Sequence, residues 1–170
     1  SAEEYVNMLD WSIDQKEHPV LILIPGNAVA HRAADKSFGD INKYKVEQQG
    51  EKVAIIALGD FYQKGEEAAA AIEKELGFKP TLVNPRFGSG LDKGLLDNLK
   101  SRHSLVITLE DGIVDGGFGE KIASYYGPSD MKVINLGLEK KFYDRYNPQQ
   151  LLESLGITAK KIVERVKKFV

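Results

Sequence analysis

The chain of 170 residues contains no cysteine, which removes disulfides, thiolate metal ligands and a cysteine nucleophile at once. That usage is compatible with a reducing cytoplasm, the location expected here. No apolar run approaches the roughly 18 residues that cross a bilayer, and no secretory signal pattern is visible. Neither sign of charge dominates. With 23 Lys and Arg against 25 Asp and Glu, the formal net charge is −2, so no nucleic acid or membrane partner is expected. The three histidines, His18, His31 and His103, lack metal-ligand spacing. The glycine-rich dinucleotide fingerprint, the P-loop and the Gly-x-Ser-x-Gly elbow are all missing. No catalytic residue, cofactor-binding residue or metal ligand is therefore assigned within these residues.

What is present is an ordinary globular composition, 42% hydrophobic and 28% charged, long enough to bury one sizeable core. Tyr5, Met8, Leu9, Ser12 and Ile13 follow helical spacing, which predicts an amphipathic helix over Glu3 to Gln15. Val20 to Ile24 reads as a strand stopped by Pro25-Gly26. Asn27 to Asp40 lacks pattern and reads as a linker, and Tyr44 to Glu47 as a short edge strand. Regular alternation starts at Val53. Strands are predicted over Val53–Leu58, Thr81–Asn84, Leu105–Leu109 and Val133–Leu136. Helices are predicted over Gly65–Leu76, Leu91–Lys100, Gly117–Tyr126 and Gln149–Leu155. A closing helix to Phe169 is capped by Thr158. Strands alternating with helices call for βαβ units. The fold class expected is α/β, three layers with a mostly parallel five-stranded sheet between helices. Ser1-Ala2 reads as a remnant ahead of a helix that begins at once, so the chain is expected to start inside a longer parent.

Open parallel sheets place their sites at the carboxyl ends of the strands, and three candidates fall there. Gly59-Asp60 follows the first regular strand and reads as a plain strand exit. Arg86, in Asn84-Pro85-Arg86-Phe87-Gly88, precedes a flexible Gly88-Ser89-Gly90 turn. Its planar guanidinium suits a phosphate or carboxylate; equally, it suits capping a carbonyl or pairing with Asp92. Glu110 and Asp111 are read as ending the third regular strand. Neighbours on an extended chain point opposite ways and make a poor acid–base pair, so a solvated exit or a hydrogen bond to the glycine turn at Gly116-Gly117 is expected. His103 lies at the opposite edge, where a structural role is expected.

The ordered set Val53-Ala-Ile-Ile-Ala-Leu-Gly59, Thr81-Leu-Val-Asn-Pro-Arg-Phe87 with Leu91-Asp92, Ser104 to Gly119, and Asn135-Leu-Gly-Leu138 with Phe142 and Leu155-Gly-Ile157 carries a resemblance. It resembles the C-terminal domain of the transketolase family of thiamine-diphosphate enzymes, most of all the 1-deoxy-D-xylulose-5-phosphate synthase group. Residues 3 to 27 resemble the last helix and strand of the preceding pyrimidine-binding domain. The resemblance implies three parts: 1–27, the tail of that domain; 28–50, a linker and edge strand; and 51–170, the transketolase C-terminal-like domain.

The resemblance further implies a transferase of aldehyde or ketone residues that uses thiamine diphosphate and Mg2+ in its full-length form. The catalytic glutamate and the diphosphate motif lie upstream, so the chain alone is expected to bind no cofactor and to be inactive. The partners implied are the missing N-terminal domains or a partner subunit, a sugar-phosphate substrate and, as a homodimer, a second copy. Arg86 aligns with an arginine that contacts the substrate phosphate. The family's further arginines beside the proline at Pro25 are absent, and His31 and Arg32 are the candidates to replace them. The competing expectation is a stand-alone α/β module for dimerisation or ligand binding.

Overall fold

The computed structural model describes residues 1–25, 29–33 and 40–170. The chain divides into two compact units, Ser1–Ile41 and Asn42–Val170.

Among its described residues the first unit is built on one helix, α1 (Ala2–Ile13), capped by the Ser1 hydroxyl, which accepts from the Glu4 amide at 3.1 Å. None of its residues is buried. The strand expected over Val20–Ile24 does not form. Leu21 and Leu23 stand 86% and 87% exposed, and no neighbouring strand among the described residues takes up this backbone. A β-branched run becomes a strand only when another strand supplies its hydrogen bonds. The Gly26-Asn27 exit and most of the expected linker lie outside the described residues.

The second unit holds a five-stranded sheet in the order β1-β3-β2-β4-β5. Its strands are β1 (Lys45–Gln48), β2 (Lys52–Leu58), β3 (Thr81–Asn84), β4 (His103–Ile113) and β5 (Lys132–Leu138). β2 pairs in parallel with β3 and β4, and β4 with β5, while only β1 is antiparallel, on β3. The α/β class expected from the alternation is therefore the class observed. Successive side chains on a strand face opposite sides. Val53, Ile55 and Ala57 pack one way with Leu105, Ile107 and Leu109, under α2 (Tyr62–Leu76) and α6 (Ala159–Val166). Ala54, Ile56 and Val106 pack the other way, under α3 (Lys93–Leu99) and α4 (Phe118–Tyr126). Strands covered on both faces lose the in–out alternation of polarity, which is why they read as continuous apolar runs.

Two details depart from expectation. β4 does not stop at Leu109 but runs to Ile113, with a register shift against β5 between Leu109 and Ile113. Glu110 and Asp111 thus sit inside the strand rather than beyond it. Thr158 occupies the cap position of α6, but its hydroxyl makes no capping bond and is buried without a hydrogen-bond partner. The helix α5 (Pro148–Leu155), by contrast, is capped through Asn147 Oδ1, which accepts from the Gln150 amide at 3.0 Å.

Candidate substrate-phosphate site

The carboxyl ends of β2, β3 and β4 lie side by side and carry Asp60, Arg86 and Glu110-Asp111. After β3 the backbone turns through Arg86 at φ 59°, a left-handed conformation that side-chain-bearing residues rarely adopt. The Phe87 amide donates to the Pro85 carbonyl across it at 2.5 Å, closing a tight three-residue turn. The Arg86 amide donates to Asn84 Oδ1 at 3.1 Å. Arg86 is half-buried, with its Nε shielded from solvent. Such strain persists only where surrounding contacts over-determine it.

Those contacts come from three directions. Tyr44, just before β1, donates its hydroxyl to the Gly90 carbonyl at 2.8 Å, and Ser89 donates to Asn42 Oδ1 at 2.8 Å. Asp92 caps α3 by accepting from the Leu95 amide at 3.1 Å. It also accepts from the Tyr44 amide at 3.1 Å and Lys43 Nζ at 3.4 Å. Burial pushes the Asp92 carboxyl up, but these hydrogen bonds outweigh it and leave it below its ordinary value. Burial raises the Tyr44 hydroxyl, which keeps its proton and remains a donor. Finally, Lys121 in the second turn of α4 donates to the Gly88 carbonyl at 3.1 Å. The Gly88–Gly90 turn, expected to be flexible, is tied at each of its residues.

Glu110 is buried and turned back on the start of α4, where it accepts from the Phe118 and Gly119 amides at 2.8 Å each. These are two of the four donors a helix leaves without an internal partner, and a carboxylate also suits the helix dipole. Gly117 is required there: a Cβ would stand 2.5 Å from a Glu110 oxygen. Glu110 thus bonds to the first amides of α4, just past the Gly116-Gly117 turn, and is not the solvated exit that was the other expectation. Asp111 points outward, its carboxyl raised first by partial desolvation and then by the charge of Asp60. Among the described residues no group of three His, Asp or Glu side chains is placed to hold a metal. Phe61, following Gly59-Asp60, is buried in the core. This donor set does not fit a metal-bound diphosphate.

His31 and Arg32 belong to the first unit. His31 Nδ1 lies 2.8 Å from Glu3 Oε1, and the Arg32 amide donates to Glu3 Oε2 at 2.8 Å. The amide bond and then the His31 ring hold the Glu3 carboxyl at about 2. At the far end of the sheet His103 lies between Leu99 O at 2.9 Å and Thr81 Oγ1 at 2.7 Å, a structural position as expected. Sequence reasoning missed Tyr44, Asn42 and Lys121 as supports of the Arg86 loop. Lys121 stands 33 positions from Gly88, and no local signal links two such positions.

Residues 42–162 match the family model for the transketolase C-terminal domain. The 1-deoxy-D-xylulose-5-phosphate synthase of Lachnoclostridium phytofermentans is 31% identical over 167 residues, 96% of this chain and 26% of that protein. The synthase of Chlorobium luteolum is 30% identical over 172 residues, 99% of this chain and 27% of its own length. The chain thus spans about a quarter of the curated relatives it matches. Among solved structures, a split-gene transketolase described as an inactive β4 tetramer superposes with a TM-score of 0.72 at 28% identity. The match covers 83% of this chain and 46% of that one. A transketolase from Pichia stipitis, TM-score 0.50 at 15% identity over 73% of this chain and 17% of its own, shares the fold. With the family model matched across most of its length and the same sheet beneath it, this chain belongs to the transketolase C-terminal domain family.

Proposed function

We infer that this chain is the C-terminal portion of a thiamine-diphosphate-dependent transferase of the 1-deoxy-D-xylulose-5-phosphate synthase or transketolase type, working in the cytoplasm. The whole enzyme moves a two-carbon unit from a ketose, or from decarboxylated pyruvate, to an aldose phosphate. Thiamine diphosphate and Mg2+ are held by the remaining portion, whether that portion is joined in one polypeptide or supplied as a partner subunit. This chain shapes the dimer and lines the sugar-phosphate channel, with Arg86 on the substrate phosphate, and is inactive alone. The observation that carries the reading is the loop after β3. An arginine is held in a strained turn at the carboxyl edge of a sheet that contains no metal-ligating cluster among its described residues. A relative of this fold described as an inactive tetramer supports the inactivity of the isolated portion.

The test is reconstitution. The chain is assayed alone and together with the N-terminal portion, with thiamine diphosphate, Mg2+, a ketose or pyruvate donor and an aldose phosphate acceptor. Turnover is expected only from the combination. Turnover by the chain alone, or none from the combination, rejects the reading; the second result favours a stand-alone module. Within the active combination, Arg86→Ala is expected to lower kcat/KM for the phosphorylated acceptor by at least about thirtyfold, the loss of one desolvated charged contact.

A further inference from the structure

The start of α4 faces the Arg86 loop, yet its amides are not free to bind an anion. Phe118 and Gly119 donate to Glu110, and Gly116 donates to Glu120 Oε2 at 2.7 Å. The helix offers the loop a side chain instead. Lys121 follows those capped residues, so its backbone position is fixed by the buried Glu110 carboxylate. Its ammonium lies 3.1 Å from the carbonyl of Gly88, two residues after Arg86. An ammonium carries three donors, and the carbonyl takes one. The other two N–H groups stay available on the exposed side of the loop. Asp60 and Asp111 lie on the same sheet edge and disfavour an anion there, so a lone arginine has opposition to overcome.

We propose that Lys121 is a specificity-determining residue for the phosphorylated substrate: it holds the Arg86 loop through the Gly88 carbonyl and adds a second cation to the same anion site. The proposal rests on the reading of Arg86 as the phosphate contact. Lys121 acts mainly on binding, because it fixes the loop and supplies charge without reaching the reacting carbon.

The experiment uses the assembled enzyme and one acceptor aldose in phosphorylated and unphosphorylated form. Lys121→Met is expected to reduce the preference for the phosphorylated form about fivefold, the worth of one exposed charge-assisted bond, with the loss in KM rather than kcat. Lys121→Arg keeps donor and charge and should hold the preference within about twofold. If Arg86→Ala loses the preference and Lys121→Met keeps it, this inference falls and the reading of Arg86 stands. If both keep it, both fall. If Lys121→Met slows the two acceptors alike, Lys121 is only a scaffold and the inference falls. A readout free of turnover is the amide shift of Arg86–Gly90 in the chain titrated with inorganic phosphate. These amides should reach half their shift at about fivefold lower phosphate in the wild type than in Lys121→Met; equal midpoints in both overturn the inference.

Discussion

The two units treat apolar residues in opposite ways. In α1, Val6, Leu9 and Ile13 follow a helical stripe, yet they stand 52%, 42% and 73% exposed. In α4, which is shorter, Phe118, Ile122 and Tyr126 also follow a helical stripe and are buried. The difference is not in the helices. α4 lies on a sheet whose strands offer Ala54, Ile56, Val83 and Val106, while among the described residues the first unit contains a helix and no sheet. An amphipathic stripe states what a helix can bury, and a second layer decides whether it does.

That contrast can be broken by core truncation, the largest effect expected. Ile122→Ala should cost about 3 kcal/mol, transfer and cavity terms together, whereas Leu23→Ala should change stability by less than about 0.5 kcal/mol. Urea denaturation followed by far-UV circular dichroism measures both. Comparable costs would mean that the first unit has a core of its own.

The Glu110 lock is next. Glu110→Ala leaves two amides at the start of α4 without their acceptor and should cost about 2 kcal/mol. Hydrogen exchange at Phe118 and Gly119 is expected to accelerate by more than exchange in α2. Glu3 makes the same type of bond in the first unit, to the Arg32 amide, but in solvent. Glu3→Ala should leave exchange throughout the second unit as it was.

Arg86 sharpens the comparison within the second unit itself. Arg86→Gly and Arg86→Ala both remove the guanidinium, but only glycine accepts φ 59° without strain. The glycine variant should therefore be the more stable by about 1 kcal/mol, read from thermal unfolding. Equal stability would mean that the turn relaxes once the side chain is gone.

The smallest effects are in acid, and they separate the units by pH. Burial lowers the His103 ring below its ordinary 6.5, so the unfolded chain binds the proton more readily. Its contribution to the second unit is complete above pH 6.5 and declines as the pH falls below that. The Glu3 carboxyl is held at about 2 against an ordinary 4.5, so its contribution to the first unit is complete above 4.5 and disappears as the pH falls towards 2. Side-chain NMR titration should find Glu3 ionised at pH 3 and the His103 midpoint below 6.5. A Glu3 midpoint near 4.5 would remove the contact with Arg32 and His31 from the solution structure.

Much of this was legible in residues alone. β2 and β3 read as strands because each is a short apolar run between glycine or proline stops, and α2 ends at Gly77 in the left-handed conformation that only glycine adopts freely. Arg86 was legible as a candidate because it follows a strand. The end of β4 was not. Glu110 is polar and reads as an exit, but amides 8 and 9 residues later receive it and let the strand continue through it. Val20–Ile24 failed in the opposite sense, since its apolar run has no strand to pair with among the described residues.

The sequence by itself determined the class of the molecule. The periods of its apolar residues, 2 along strands and 3.6 along helices, and the glycines that end them are local properties, and they suffice for an alternating α/β chain. Only the tertiary structure decided which polar residues came together at one sheet edge. Asn42, Tyr44, Arg86, Gly88 and Lys121 are scattered over 80 positions, and the sheet gathers them at one edge because the parallel strands β3 and β4 end there and the antiparallel β1 begins there. A hydrogen bond reaches about 3 Å whatever the separation in the chain, so its partners are chosen by packing and not by order.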